Sequence, residues 1–330
     1  NPVALLLVTG VNGFIGSHVA ERLLKAGHRV RGLARKTSDL TFLANLDVDL
    51  RYGDVTDRGS VAGAMGGVEV VVHVAGLASD WGPYERFFSV NVTGTRNVAE
   101  TAHAAGVRRF VHISTTAIHG FSGFRNADET SPMPRTAFPY CETKRIAEEW
   151  LFRFLPSTPM EITAIRPGNV FGPRDRTFIG KYLDALREGK IAYIDGGRHW
   201  TCPTYVGNLS EGTVLACFTP EAKGESFIIT DGLSIDWKSF TEKLADELGV
   251  ERPKVSVPYW LAYPAAAVME NAWRLFRSAE PPLLTRYRIS NGGRDYHFSV
   301  EKAKRILGYD PPVGLDEAVR RTVAWYRERS

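Results

Sequence analysis

Tyr140 and Lys144 stand four residues apart in Tyr140-Cys141-Glu142-Thr143-Lys144. Apolar or small residues at Ile146, Ala147, Trp150 and Leu151 carry the stretch on as a helix, so the phenol and the ammonium lie one above the other. That juxtaposition has a chemical use. A free phenol titrates at about 10 and shuttles protons poorly near neutrality, whereas an adjacent cation stabilises phenolate and brings the group into range for acid–base work. Twenty-five residues before the tyrosine, the apolar run Val107 to Ser114 reads as a buried strand ending in Ser114-Thr115-Thr116. Hydroxyls at such an end open onto a ligand crevice or cap a turn. A tyrosine and a lysine at this spacing also occur on helices with no chemistry, so the pair gains meaning only from the elements around it.

Those elements begin with Thr9-Gly10-Val11-Asn12-Gly13-Phe14-Ile15-Gly16, which follows the apolar run Val3 to Val8 and leads into a helix from Ser17 to Gly27. Strand, glycine turn and helix is the order that binds a dinucleotide. Gly10 turns the chain, Gly13 lets backbone approach a pyrophosphate, and Gly16 lets the helix pack closely, with the helix N-terminus facing the phosphates. An oxidised nicotinamide bound here adds a second positive charge to stabilise a Tyr140 phenolate. The second strand, His28 to Arg35, ends in Arg35-Lys36 instead of the Asp or Glu that accepts ribose hydroxyls. A guanidinium binds a 2′-phosphate bidentately, so NADP(H) is favoured and NAD(H) stays open, the other reading being a solvated basic edge.

A third strand, Asp49 to Tyr52, precedes Gly53-Asp54 and a short helix from Arg58; Asp54 can accept the adenine amino group or serve as an N-cap or turn residue. Glu69 to Gly76 reads as a strand buried on both faces, with backbone room for a ligand at Ala75-Gly76 and His73 as a core or adenine-side residue. An aromatic loop with Trp81, Tyr84, Phe87 and Phe88 leads to a long helix through Asn91-Val92-Thr93-Gly94-Thr95.

Composition sets the frame. A chain of 330 residues suits one large α/β domain with a second, smaller lobe. With 44% hydrophobic and 24% charged residues it is an ordinary globular chain, and a net charge of +4 without a basic, aromatic-interleaved run argues against nucleic acid. Cys141, Cys202 and Cys217 are far apart, which predicts a reducing compartment and no zinc site. No signal peptide is read before the first strand, and Asn1-Pro2 is taken as a trimmed start. Val257 to Phe276 is too interrupted by Pro258, Pro264, Glu270, Asn271 and Arg274 to span a bilayer, but it can lie on one. The expected location is cytoplasmic, with membrane association open.

The set Gly10-x-x-Gly13-x-x-Gly16, Gly53-Asp54, His73-Val74-Ala75-Gly76, Asn91 to Thr95, Ser114-Thr115, Tyr140-x-x-x-Lys144 and Arg166-Pro167-Gly168-Asn169-Val170-Phe171-Gly172-Pro173 resembles the extended short-chain dehydrogenase/reductases. The second half is similar to the 3β-hydroxysteroid dehydrogenase-like branch, through Thr204 to Leu209, Pro281 to Tyr287 and Asp295 to Pro311. The resemblance implies a Rossmann-type doubly wound parallel sheet, mainly residues 1–173, and a mixed α/β substrate lobe, mainly 174–330, with segments returning to the sheet. It implies that Tyr140 moves the proton, that Lys144 holds the nicotinamide ribose, and that Thr115, five residues before Gly120, holds the substrate oxygen. Asn91 then shapes the proton path. Gly10, Asn12, Gly13, Phe14, Ile15, Gly16, Arg35, Lys36, Asp54, Val55, Val74, Ala75, Gly76 and Pro167-Gly168-Asn169-Val170 line the cofactor beside Tyr140 and Lys144.

For substrate, Tyr259, Trp260, Leu261, Tyr263, Val268, Met269, Trp273, Leu275 and Phe276 fall on one helical stretch ending near Arg274 and Arg277, which reads as core or as substrate cover. Trp81, Tyr84, Phe121 and Tyr205 are the expected substrate wall, and a greasy wall favours a sterol or a long acyl chain. The expectation is an enzyme interconverting a secondary alcohol and a ketone on a 3β-hydroxysteroid or related sterol, with no metal. Reduction of a 2-alkyl-3-oxoalkanoate is the close alternative. A nucleotide-sugar epimerase or dehydratase is a third, suggested by Asn169 and weakened by Thr201-Cys202 where such enzymes usually carry Arg-Asp. A non-catalytic NADP(H)-binding regulator is the reading from another class, disfavoured because Tyr140 and Lys144 are both present. A homodimer is left open.

Overall fold

The computed structural model describes residues 2–276, 278 and 280–329, so Asn1 and Arg277 lie outside the described residues. The apolar first run forms β1 (Leu5–Thr9) and stops where Gly10 adopts φ +63°. A Cβ at Gly10 would also stand 2.9 Å from the Cα of Ala75, so the turn needs glycine twice over. There follow α1 (Phe14–Lys25), β2 (Arg29–Ala34), β3 (Val48–Tyr52), α2 (Arg58–Ala62), β4 (Val70–His73), α3 (Tyr84–Phe87), α4 (Gly94–Ala104), β5 (Arg109–Ile113), α5 (Pro139–Phe154) and β6 (Glu161–Pro167). After α6 (Ile179–Arg187) and α7 (Val206–Phe218), the strand β7 (Ser226–Ile229) returns to pair with β6.

The seven strands run parallel in the order β7-β6-β5-β4-β1-β2-β3. Alternate residues explain why their sequences are continuously apolar. Leu6, Val8, Val72 and Val111 face one core with residues of α1 and α7, while Leu7, Val71, Phe110 and Ile162 face the other with residues of α2, α4 and α5. The order reverses between β1 and β4, and the crevice at a parallel sheet's carboxyl edge opens at that point.

β4 is shorter than the expected Glu69 to Gly76. Thr9 Oγ1 accepts from the backbone N–H groups of Val74 (3.2 Å) and Ala75 (3.1 Å), which draws the chain out of the ladder after His73. His73 joins this lock through Thr9 on Nδ1 (2.8 Å) and Thr95 on Nε2 (3.0 Å), and burial pushes its pKa down to about 3, so it stays neutral. The expected long helix after the aromatic loop is α3, a π-helical stretch Phe88–Thr93, and α4 in succession. Asn91 sits in the π stretch, the kind of local widening that proteins place at working sites.

The second half adds α8 (Trp237–Leu248), α9 (Tyr259–Leu275), α10 (Arg286–Gly292), α11 (Glu301–Leu307) and α12 (Leu315–Arg329). The expectation that α9 turns its large apolar residues to a core or pocket holds for Tyr259 and Tyr263, which pack beside Ala262, Ala266 and Ile289, and is corrected for the others that face out. Its buried residues are Ala262, Ala266 and Glu270, while Trp260 (74% exposed), Val268 (70%) and Leu275 (80%) face out. Glu270 is buried because Arg286 of α10 binds it from backbone and guanidinium (2.7 and 2.8 Å), a polar anchor where an apolar face was expected. Among the described residues no helix is long and apolar enough to cross a membrane.

Candidate active site

Phe138 caps α5 with extended backbone and Pro139 opens it, a proline placed where the missing N–H costs nothing. Tyr140, Lys144 and Glu148 then recur every fourth residue along one side. Tyr140 is half-buried at the crevice, Lys144 is buried beneath it, and Glu148 is buried a turn deeper. Glu148 Oε1 takes two hydrogen bonds from Arg166 of β6, from Nε at 2.9 Å and Nη2 at 2.5 Å. Arg166 also donates to the carbonyl of Glu129 at 3.0 Å. This buried pair ties the Tyr–Lys helix to the strand that ends at Pro167.

The phenol departs from expectation. Burial pushes Tyr140 up to about 12, and the hydroxyl of Thr115, hydrogen-bonded to it, pulls the other way. Lys144 is itself driven down to about 7 by burial, with Glu148 opposing the fall. The protein's own groups therefore hold the phenol protonated at neutrality, and depression of its pKa needs a positive charge beyond them. Lys144 Nζ donates to the carbonyl of Ile113 at 2.6 Å and stands 3.2 Å from Nε2 of His112.

The three hydroxyls after β5 divide the work. Thr115 Oγ1 accepts from the N–H of Ala117 (3.1 Å), so its own proton remains to be donated. Thr116 is structural, bonding the carbonyl of Pro167 (3.1 Å) and the hydroxyl of Tyr296 (2.7 Å). Ser114 Oγ is buried without a partner among the described residues. Asn91 receives the N–H of Leu77 on Oδ1 (2.7 Å) and donates from Nδ2 to the carbonyl of Leu77 and to Thr143 Oγ1 (3.2 and 3.0 Å), clamping the loop after β4 to α5.

The residues expected to hold a dinucleotide fit one. A Cβ on Gly16 would lie 2.1 Å from the carbonyl oxygen of Gly10, so α1 is packed onto the turn itself and its first N–H groups are left at the crevice. Phe14, Ile15 and Val170 are half-buried against one apolar cluster, which brings the glycine turn beside the segment after β6. Asn12 donates to the carbonyl of Asp39 (3.3 Å), drawing in the loop beyond β2. Arg35 and Lys36 are exposed at that loop and form no ion pair among the described residues. Asp54 Oδ1 is engaged by the N–H and hydroxyl of Thr56 (2.9 and 2.8 Å), the turn role, while the N-cap of α2 is Asp57. Val55 is buried and packs where a Cβ on Gly94 would lie, 2.8 Å from its Cγ2. Val74, Ala75 and Gly76 form the facing edge; Gly76 leaves room for the Asn91 amide. Gly168 fits under Cys202, whose carbonyl oxygen a Cβ would meet at 2.5 Å. Asn169 turns its amide to Thr201 (2.9 Å) and reciprocally to Asn291 (3.3 and 3.0 Å), so that side chain ties the segment after β6 to α10.

On the substrate side, Phe121 meets Phe138 (5.8 Å between ring centroids), Tyr287 (5.1 Å) and Tyr296 (5.2 Å), next to Tyr140 at the start of α5. Trp81 is half-buried, donating from its indole to the carbonyl of Ser278 (3.1 Å) beneath the guanidinium of Arg274. Tyr84 stands further out, exposed and tilted against Phe88. Tyr205 is a correction. It is buried against Phe171 (5.8 Å), in a core shared with α6, α8 and α12, because the segment Pro203–Tyr205 pairs with Asn169–Phe171. Phe138, His112 and Glu148 were not singled out from the sequence, and Arg166 and Tyr287 stood there only within longer motifs. Glu148 was findable as the next step of the Tyr140–Lys144 spacing, whereas nothing local links Tyr287 to a tyrosine 147 residues earlier.

Residues 6–230 match the profile of the NAD dependent epimerase/dehydratase family. The chain is 30% identical to the 2-alkyl-3-oxoalkanoate reductase of Stenotrophomonas maltophilia over 97% of its length and 98% of that protein. It is 32% identical to the decarboxylating sterol-4-alpha-carboxylate 3-dehydrogenase of Mus musculus, over 96% of this chain and 89% of that one. The crystal structure of gox2253 superposes with a TM-score of 0.84 at 33% identity, covering 100% and 99% of the two chains. A parallel sheet with its switch point under a glycine turn, a Tyr–Lys helix beside it and a match of this extent lead to one conclusion: the chain belongs to the NAD dependent epimerase/dehydratase family, as an NAD(P)-dependent oxidoreductase of the short-chain dehydrogenase type.

Proposed function

We propose that the enzyme interconverts a secondary alcohol and a ketone on a 3β-hydroxysteroid or related sterol, with NADP(H) preferred. The observation that carries the substrate class is the wall beside Tyr140. Phe121, Phe138 and Tyr287 line it, and the two arginines flanking Tyr287 are already paired, Arg286 with Glu270 and Arg288 with Asp80. A flat apolar ring system gains from such a wall by burial alone, about 25 cal/mol per Å². Among the described residues the two arginines flanking Tyr287 are no unpaired cations for a diphosphate, and Asn169 is committed to Thr201 and Asn291. The name of the sterol-4-alpha-carboxylate 3-dehydrogenase relative supports the sterol ring system, though the carboxylate it names is not part of this reading. The name of the reductase relative supports a β-keto acid instead, and the paired state of Arg286 and Arg288 counts against a carboxylate.

A bound nicotinamide supplies or accepts the hydride at the substrate carbon. Tyr140 donates its phenolic proton to the oxygen of a ketone, or takes the proton of an alcohol, and Thr115 hydrogen-bonds the same oxygen. Lys144 uses its remaining N–H on the ribose side, while Asn91 keeps the loop after β4 fixed against α5. Holding both reactants in register supplies the entropic part of the rate. Protonated at neutrality, the Tyr140 phenol is ready to act as the acid of ketone reduction. Unpaired Arg35 supports the preference for the 2′-phosphate. The outward apolar face of α9 supports peripheral contact with a membrane, from which a sterol is collected. Co-sedimentation with liposomes checks that part, and failure to bind them with or without the segment 257–276 disposes of it.

The deciding experiment incubates the protein and NADPH or NADP⁺ with sterols, β-keto acids and nucleotide sugars while following the absorbance of the reduced cofactor. Turnover of 3β-hydroxysteroids or their ketones is expected. Turnover confined to nucleotide sugars overturns the reading, and turnover confined to β-keto acids moves it to the alternative.

A further inference from the structure

His112 lies on β5, is fully buried, and takes no part in the proton transfer just described. Its Nε2 stands 3.2 Å from Nζ of Lys144, and its Nδ1 is buried with no partner among the described residues. The groups around the pair are few. His73 of β4 stacks on His112 with ring centroids 5.5 Å apart. Its own nitrogens are taken by Thr9 and Thr95: Thr95 gives its proton to the carbonyl of Asn91 (2.6 Å), so Nε2 of His73 is the donor and Nδ1 the acceptor. Tyr140 lies one turn above Lys144 on α5, and Glu148 one turn below, held by Arg166 of β6. The carbonyl of Ile113 accepts a second N–H of the ammonium.

An ammonium has three donors and no acceptor, so a charged Lys144 requires a bare, accepting Nε2 on His112. The ring proton must then sit on Nδ1, where it is buried and unsatisfied, a state proteins usually avoid. When Lys144 is neutral, its lone pair can accept, and His112 is free to carry its proton on Nε2. The charge of Lys144 and the tautomer of His112 are therefore one linked equilibrium.

We propose that His112 is a positioning residue that keeps Lys144 charged and aimed: it accepts one N–H of the ammonium from behind, leaving the third N–H for the cofactor. The inference rests on the reading of Lys144 as a cofactor-holding ammonium. Burial drives Lys144 down to about 7 and His112 well below its ordinary value, so the lysine titrates near neutrality while the histidine stays neutral. Removing the acceptor favours the uncharged amine further. The alkaline loss of cofactor binding then moves to lower pH.

Two readouts test this. In cofactor-free protein with 15N-labelled histidine, NMR is expected to show the Nδ1–H tautomer of His112 at low pH giving way to Nε2–H as pH rises through about 7, with the transition absent in Lys144→Met. The pH dependence of NADP⁺ binding is expected to shift its alkaline limb down by about one unit in His112→Leu, a tenfold loss per unit above the limb, with His112→Gln, which offers a carbonyl acceptor, close to wild type. One tautomer throughout from about pH 5 to about pH 9, or a limb that stays in place in His112→Leu while affinity falls uniformly, overturns the proposal. Lack of turnover on every sterol defeats the functional reading and leaves the NMR test of His112 intact.

Discussion

Helices α5 and α9 both invert the usual amphipathic rule, in opposite senses. α5 buries Lys144, Arg145 and Glu148, and α9 exposes Trp260, Leu261, Val268 and Leu275 while burying alanines and Glu270. In α5 the cost of taking charge out of water is met inside the protein: Glu148 has Arg166, Arg145 has Glu142 and Glu149, and Lys144 has Ile113 and His112. In α9 the exposed apolar side chains are left uncovered among the described residues. The first inversion belongs to the Tyr–Lys site, and the second is the surface for which membrane contact is proposed.

The comparison breaks most directly at Glu148. Glu148→Gln leaves Arg166 charged and buried, and chemical denaturation is expected to show a loss of roughly 3–5 kcal/mol. A change near zero would mean that the polar interior of α5 is not held by that pair. Next in size is Arg35→Ala, expected to lower the proposed preference for NADP⁺ over NAD⁺ by about tenfold in steady-state kinetics, since it removes the exposed guanidinium proposed to bind the 2′-phosphate without disturbing the fold. A clear NAD(H) preference that survives the substitution sinks the NADP assignment. The smallest effect on stability belongs to α9. Trp260→Ser with Leu275→Ser is expected to leave unfolding within about 0.5 kcal/mol of wild type, while retention on liposomes drops. A large loss of stability would place those residues in a core after all.

What was legible follows from the same contrast. Strands buried on both faces, the glycine turn and the four-residue spacing of Tyr140 and Lys144 are local patterns, and the parallel sheet and the Tyr–Lys helix stand where those patterns put them. The shortened end of β4 was not legible, because it depends on a hydroxyl 65 residues upstream, Thr9 reaching Val74. Tyr205 was misplaced because an aromatic in a strand-to-helix turn looks the same in sequence whether it faces a ligand or Phe171. The large apolar residues of α9 divide between a core side with Tyr259 and Tyr263 and an exposed side with Trp260, Val268 and Leu275, a division that hydrophobicity alone does not give. The pKa of Tyr140 could not be read either: its neighbour's charge was visible, but burial, which dominates, is a property of the fold.

The central claim, that Tyr140 moves the proton in a cofactor-dependent oxidation or reduction, is tested most directly by Tyr140→Phe with turnover and NADP(H) binding measured on the same sample. Turnover is expected to fall by about 10²–10⁴-fold while cofactor fluorescence titrations are unchanged. Near-normal turnover in Tyr140→Phe would contradict the account.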